Sequence, residues 1–321
     1  MRTSLDIIIV NWNSGAQLRA CLASLARASR AAFDLERVVV VDNASSDGSA
    51  DAMDGLELPL LVLRNAENRG FAAACNQGAR DSTAEHLLFL NPDTLLLEES
   101  LAVPVSFMGD PANSGVGICG IQLLDEEGAV SRSCSRFPTT SMAVCKMLGL
   151  DRLLPPSLAR QRMTEWDHAS SREVDQVIGA FFLVRRSLFE ALGGFDERFF
   201  VYYEEVDFSF RAAAKGYRSR YLAAASAVHR GGGCTDQVKA RRLAYSLRSR
   251  IEYGLKHFSK TSAAALILTT LLVEPATRSV WALLHGSLLS CRETLSGYRE
   301  VWRIGATLMR RALLPDSNSG L

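Results

Sequence analysis

No two cysteines stand at CxxC spacing, and the seven present (Cys21, Cys75, Cys119, Cys134, Cys145, Cys234 and Cys291) are odd in number and scattered. That argues against a disulfide framework or a thiolate zinc cage and fits buried or incidental thiols in a reducing cytosol. HExxH is also missing. No GxGxxG follows the first strand signal, where NWNSGAQL stands instead, and no GxxxxGK[ST] occurs, so dinucleotide and Walker-type phosphate cradles lack support. The N-terminal MRTSLDIIIVNWN has an apolar run of only residues 7–10 and no small-residue cleavage site, unlike a signal peptide. No segment reaches about 18 uninterrupted apolar residues. The nearest, AAALILTTLLV at 263–273, is expected to stop at Glu274-Pro275.

An excess of one charge is missing too. The net charge of +1 names no partner, but its distribution is uneven. Residues 1–237 carry 23 Lys/Arg against 30 Asp/Glu, whereas residues 238–311 carry 13 against 4. An acidic body followed by a basic region suggests two jobs. The 321 residues, 48% of them hydrophobic, are enough for a sizeable core in one large domain or two smaller ones.

What is present alternates strand and helix signals. LDIIIVNW, RVVVVD, LLVLR and HLLFLN are short apolar runs that suit fully buried strands. Between them, residues 18–30 carry a helical apolar stripe, SSDGSADAM can start a short helix, and 70–79 reads as helix; another helix is expected from about Glu98. This predicts an α/β fold, a Rossmann-like, mostly parallel sheet covered by helices on both faces. A hairpin is expected over 123–138 around Glu127-Gly128, and a mobile loop over 140–172. VDQVIGAFFLVRR reads as a strand interrupted at Gly179-Ala180, followed by a short helix over 187–192. Residues 217–228 read as extended chain ending in HRGGG, and the chain after Gln237 as wholly helical.

In such sheets ligands gather at the carboxyl ends of the strands. There the sequence places Asn11-Trp12-Asn13, Asp42-Asn43, Asn65 with Asn68-Arg69-Gly70, and Asn91-Pro92-Asp93. Each alone is an ordinary turn. Four in register with strand ends form a rim of amides and carboxylates. Asp93, on a tight turn with an amide two residues before it, suits a divalent cation and a ribose, because Mg²⁺ and Mn²⁺ take oxygen ligands and share them with phosphates. His229, expected as an exposed ring beside glycines, suits the same site or a plain surface role.

FFVYYEEVDFSFR, residues 199–211, crowds Glu204, Glu205 and Asp207 beside aromatic residues. A helix is expected from Glu204 with Val206, Phe210 and Ala213 or Ala214 on its apolar row. The acids complement the helix dipole and Asp207 is spaced to pair with Arg211. The aromatic wall equally suits a sugar face, or a carboxylate desolvated into the base range.

Taken together, IIIVNWNSGAQLRACLASL, VVVVDNASSDGS, NRGFAAACNQGAR, LLFLNPDT, GAFFLVRRSLFEALGGFDERFF and YYEEVDFSFRAAAKGY resemble glycosyltransferase family 2, a GT-A-fold family, and its bacterial rhamnosyltransferase-type branch in particular. The resemblance covers residues 5–235. It implies a GT-A domain over 1–236, with a nucleotide-binding half at about 1–122 and an acceptor half at about 123–236, followed by a basic helical region at 237–321. It also implies a nucleotide-diphosphate sugar donor, Mg²⁺ or Mn²⁺, and direct displacement with inversion. On the matching positions, Asn11 would line the nucleobase pocket, Asp42 and Asn43 would face base or ribose, and Arg69, with Gly70, would approach the base and diphosphate. Asn91 would lie near the ribose, and Asp93 and His229 would hold the metal. Gly179, Ala180, Tyr203 and Glu204 would face the acceptor. Glu205 stands where the family places its base, with Asp207 as the competing assignment. The motif departs from the family pattern in having Asn91 for the first metal-motif acid and Glu205 for a base that is more often Asp.

The basic helices fit either the solvated face of a helical subdomain or an anionic membrane surface. Polyprenyl-diphosphate-linked acceptors, common in this branch, favour the second. The expected setting is cytoplasmic and peripheral to the inner face of the plasma membrane, with a glycan or lipid-linked acceptor and no nucleic acid. A non-catalytic nucleotide-sugar or glycan-binding module on the same fold is the alternative. A nucleotidyltransferase is disfavoured because a basic Gly-rich N-terminal loop is missing.

Overall fold

The computed structural model describes residues 2–51, 53, 55–231, 239–284 and 288–313. Twelve strands are assigned among them: β1 (Thr3–Asn11), β2 (Phe33–Asp42), β3 (Leu60–Arg64), β4 (His86–Leu90), β5 (Thr94–Leu96), β6 (Val116–Leu124), β7 (Val130–Ser131), β8 (Cys134–Ser135), β9 (Arg172–Val174), β10 (Gln176–Val177), β11 (Phe181–Arg185) and β12 (Arg218–His229). The α-helices are α1 (Ala16–Arg27), α2 (Phe71–Ala79), α3 (Ala102–Gly109), α4 (Thr140–Met147), α5 (Pro156–Ala159), α6 (Arg186–Ala191), α7 (Glu204–Ala214), α8 (Lys239–His257), α9 (Lys260–Leu268), α10 (Glu274–Leu284) and α11 (Leu288–Leu313).

Two compact units divide the chain. The first comprises the residues up to Phe137, Arg162–Phe200, and the stretch from Glu204 through β12. Its main sheet runs β3-β2-β1-β4-β11-β6-β12-β5. The four strands read from the apolar runs, β3, β2, β1 and β4, are parallel neighbours. Ile7, Ile8, Ile9, Val38, Val39, Val40, Leu87, Leu88 and Phe89 are buried, as strands covered on both faces require. Beyond β4 the sheet turns mixed: β11 is antiparallel to β4 and β6, β12 is parallel to β6, and β5 adds antiparallel to β12. The hairpin expected over 123–138 is present as β6–β7.

Several expectations are corrected. Residues 45–53 show turns and no helix among those described, because the segment is spent on side-chain bonds to the β1 end. The helix expected from Glu98 begins at Ala102. The expected mobile loop over 140–172 carries α4 and α5, with Thr139 capping α4 by accepting a hydrogen bond from the Met142 amide. VDQVIGAFFLVRR is divided among β9, β10 and β11. In α7 the buried apolar residues are Val206, Phe208 and Ala212 rather than the Phe210 row. Phe208 locks against Phe182, Phe189 and Phe195, whereas Phe210 stacks edge-on against Phe137.

The second unit comprises Pro138–Gln161, Val201–Tyr203 and the helices from Lys239 onward. Its core gathers Ala244, Leu247, Ile251, Ala263, Ile267, Tyr298, Val301 and Leu308. The apolar run ends at Glu274-Pro275 as expected, but the helix continues through them. A π-helical turn, Thr269–Val273, carries α9 into α10, so Lys260–Leu284 is one continuous helix, long and apolar enough to cross a membrane. Pro275 is tolerated in the first turn of α10, where the wider π turn has already relaxed the hydrogen-bond ladder. Glu274 itself is buried and held by Arg250 and Arg278.

Candidate active site

The rim forms because parallel strands end together. Asn11 and Asp42 are register partners at the last residues of β1 and β2. The Asn11 side-chain amide donates to Asp42 Oδ1 at 2.9 Å and to Ser45 and Ser49 hydroxyls at 3.0 and 2.9 Å, while its oxygen accepts from Ser14. Asn11 is therefore buried, with its side chain engaged in holding the ends of β1 and β2 to the 45–49 turn. Asp42 keeps its second oxygen for other donors. Asn43, 2% exposed, is a hub: its Nδ2 donates to Asn68 Oδ1 at 2.8 Å and to the Gly70 carbonyl at 3.2 Å. Its Oδ1 accepts from the Arg69 amide at 3.0 Å and from Asn65 at 3.1 Å. It fixes the loop that presents Arg69.

Gly70 is demanded twice. Its φ of +86° is in the left-handed region, and a Cβ there would stand 2.6 Å from the Phe200 carbonyl oxygen. That carbonyl accepts from the Phe71 amide at the start of α2. The Asn68–Gly70 loop thus touches the segment leading to the acids of α7.

Asn91 follows β4, and its amide donates to the Ala180 carbonyl at 3.0 Å, which ties the Asn-Pro-Asp turn to the start of β11. Gly179, one residue earlier, faces open space where a Cβ would be. Asp93 reaches His229 through sheet register: Thr94 pairs with His229 across β5 and β12. Asp93 Oδ1 lies 3.3 Å from His229 Nε2, yet accepts no hydrogen bond among the described residues. The His229 ring is largely enclosed, not exposed as expected, and Arg230 pairs with Glu126 at 3.0 Å. The glycines after Gly231 lie outside the described residues.

A buried carboxylate oxygen without a donor, facing an imidazole nitrogen, fits a divalent cation such as Mn²⁺ or Mg²⁺. No group of three or more His, Cys, Asp and Glu side chains arranged for a metal occurs among the described residues, so substrate oxygens and water would complete the coordination.

The three acids of α7 are not equivalent. Asp207 is 0% exposed and pairs with Arg211 Nε at 2.7 Å. Arg211 also donates to the Leu192 and Gly194 carbonyls at 2.7 and 2.9 Å. Glu204 is 5% exposed, and its Oε2 has no hydrogen-bond partner among the described residues. Burial, reinforced by the Glu205 carboxylate, holds the Glu204 carboxyl well above the usual range. The desolvation anticipated for this stretch thus falls on Glu204. Glu205 is only half-buried. Tyr202 and Tyr203, just before the helix, both have positive φ, 67° and 72°, an uncommon conformation for aromatic residues. In the second unit Tyr203 packs on the Tyr253 ring, 5.5 Å between centroids, and Ser249 donates to the Val201 carbonyl at 2.8 Å.

Sequence reading missed the positioning residue Asn76, and it gave Arg211 only as the ion-pair partner of Asp207. Asn76 of α2 donates to the Phe195 carbonyl at 2.8 Å and accepts from the Phe195 amide at 2.9 Å. Arg211 clamps the turn at the other end of the same GGFD segment. Both are distant in sequence from what they hold, though an amide in NQGAR and an arginine one turn after Asp207 were the available signals.

The profile of Glycosyl transferase family 2 matches residues 6–193. An N-acetylglucosaminyl-diphospho-decaprenol L-rhamnosyltransferase of Mycobacterium tuberculosis is 28% identical over 262 residues, 76% of this chain and 81% of that protein. Rhamnosyltransferase WbbL of Escherichia coli is 27% identical over 176 residues, 54% of this chain and 63% of that protein. In three dimensions, the mannosyltransferase PcManGT from Pyrobaculum calidifontis, in complex with GDP-Man and Mn²⁺, superposes with a TM-score of 0.55 at 22% identity, covering 98% of this chain and 87% of that one. S. aureus TarS 1-349 gives 0.52 at 16% identity, covering 95% and 92%. With strand-end amides, an Asp-His pair and a carboxylate-led helix carried by a mixed sheet of the GT-A type, the chain belongs to glycosyl transferase family 2, in its rhamnosyltransferase-like branch.

Proposed function

We propose that this glycosyltransferase is an inverting, metal-dependent enzyme. It moves a sugar from a nucleoside-diphosphate donor to a glycan or polyprenyl-diphosphate-linked acceptor in bacterial surface polysaccharide assembly. The observation that carries the reading is the Asp93–His229 pair, a buried carboxylate oxygen with no hydrogen-bond donor beside an imidazole. Asp42 binds base or ribose at the rim, with Asn11 and Asn43 holding the wall and loop around it. Arg69 meets the diphosphate and Asn91 the ribose. Asp93 and His229 hold Mg²⁺ or Mn²⁺, which when bound stabilises charge on the departing diphosphate. Gly179, with space above it, and Ala180 lie under the sugar, and Tyr203 and Glu204 border the acceptor.

Glu205 is the base. It takes the proton from the acceptor hydroxyl as that oxygen attacks the anomeric carbon from the face opposite the leaving group. Asp207 is fully enclosed and already held by Arg211, which supports Glu205 over Asp207, and burial favours the protonated form of Glu204, which supports Glu205 over Glu204. The dTDP-rhamnose donor is the first to test, since two relatives are rhamnosyltransferases by name. The setting is cytoplasmic, at the inner face of the plasma membrane. A panel of nucleotide sugars with Mg²⁺ or Mn²⁺, scored by thermal shift and donor consumption, tests the whole reading. Binding without consumption in the presence of acceptor would favour the non-catalytic module instead.

A further inference from the structure

Large apolar side chains exposed to solvent are concentrated in the second unit. In the first unit the exposed ones are Leu61, Leu97 and Val130, on separate elements. In the second most fall into two neighbouring sets, with Leu295, Trp302 and Leu313 apart from them on α11. One follows α4: Leu148, Leu150, Leu153, Leu154 and Leu158, with Leu153 80% exposed. The other lies on the long helix Lys260–Leu284, whose most apolar 18 residues are only 33% buried. Leu268, Leu272, Ala276, Val280 and Leu284 recur at every fourth position and are all exposed, with Trp281 beside them. A surface helix normally turns its polar side outward. Here Ala263, Leu266 and Ile267 face the unit's own core, and the opposite side is apolar too. Because α4 packs against α9 and the π turn, the leucines after α4 flank this stripe.

The charges around these surfaces have one prevailing sign. Within 260–284 the single acid is Glu274, buried between Arg250 and Arg278, while Lys260 is exposed at the helix start. Within 138–161 there are Lys146, Arg152 and Arg160 against Asp151. Exposed aliphatic residues with a tryptophan, bordered by cations and almost free of exposed acids, complement the interfacial region of a negatively charged bilayer. A second copy of the same surface would bring like charges together. A spanning helix would have to withdraw Ala263, Leu266 and Ile267 from the core.

Resting on the lipid-linked acceptor reading above, we propose that the leucines of residues 148–158 and the outward stripe of Lys260–Leu284 form one membrane-docking surface. It lies in the headgroup region of anionic lipid and does not cross the bilayer. Leu153 and Leu284 enter the acyl boundary, Trp281 sits at headgroup depth, and the lysines meet lipid phosphates.

The test uses the full chain and vesicles of phosphatidylcholine with or without phosphatidylglycerol. Wild-type protein is expected to sediment with the anionic vesicles and to have its tryptophan fluorescence quenched by lipids brominated near the headgroup. The double variant L153E/L284E is expected to partition about tenfold or more weakly. Unchanged partitioning in the variant, or no binding by wild type, overturns the proposal. So does resistance to alkaline carbonate extraction, the mark of a spanning helix, or a dimer in solution that L284E dissolves. Donor binding of the variant reports its folding, and quenching in wild type needs no variant. Transfer to a water-soluble acceptor analogue keeps the two readings apart. Transfer without vesicle binding sinks the docking surface alone, and vesicle binding without transfer to any acceptor sinks the acceptor reading alone.

Discussion

Asp93 and His229 stand 3.3 Å apart because Thr94 and His229 are register partners across β5 and β12. The pair joins the turn after β4 to the end of the last strand of the unit. Neither side chain makes a hydrogen bond to another of the described residues, so their removal should affect ligand binding more than folding. Asp93→Asn and His229→Ala are each expected to weaken Mn²⁺ binding in the presence of nucleotide by at least about tenfold. Calorimetry with Mn²⁺ and UDP or dTDP, beside a thermal melt changed by little, checks this.

The acids of α7 should separate by phenotype. Glu205→Gln is expected to lower kcat by about 10²–10⁴-fold while leaving donor affinity in place, as loss of a general base does. Asp207→Asn leaves a partly buried guanidinium without its charge partner and is expected to cost about 3 kcal/mol of stability. Donor titrations, turnover and urea unfolding on both variants distinguish them. Full activity in Glu205→Gln with loss in a well-folded Asp207→Asn would move the base to Asp207.

Glu204 predicts a pH dependence. Its folded pKa lies above that of the unfolded chain, so the folded state holds the proton more tightly. Its contribution is then most favourable below the unfolded pKa, declines as pH rises toward the folded value, and stays low above that. Glu204→Gln is expected to raise stability at neutral pH and to flatten this part of the profile. Denaturation midpoints of both proteins from acid to neutral pH measure it.

Gly70→Ala forces a Cβ against the Phe200 carbonyl at a positive φ, with an expected penalty of about 1–3 kcal/mol. Because Arg69 precedes it on the same loop, donor KM should rise as well. Asn43→Ala, which removes the hub of that loop without straining its backbone, should raise donor KM in the same direction. Steady-state kinetics on both variants gives the comparison.

Much of the first unit follows from local pattern. Four short apolar runs, with helical stripes after the first and the third, are satisfied as buried parallel neighbours, so Asn11, Asp42, Asn65 and Asn91 arrive at one edge by arithmetic of strand length. The start of α7 at Glu204 is equally local, set by carboxylates that suit a helix N-terminus. Tertiary structure decided the rest, because it depends on contacts between distant residues. The proximity of His229 to Asp93 is fixed by antiparallel register over more than a hundred residues of chain. Tertiary packing encloses Asp207 beside Arg211 and puts the desolvation penalty on Glu204, and periodicity alone does not say which face of α7 meets the phenylalanine cluster. Likewise Asn43 stands at a strand end in the sequence, and only the structure shows that its side chain also holds the loop of Asn65, Asn68 and Gly70. The chain passes Pro275 as helix because a π turn, stabilised where Trp302 donates to the Leu271 carbonyl at 2.8 Å, relieves a break that sequence rules place there.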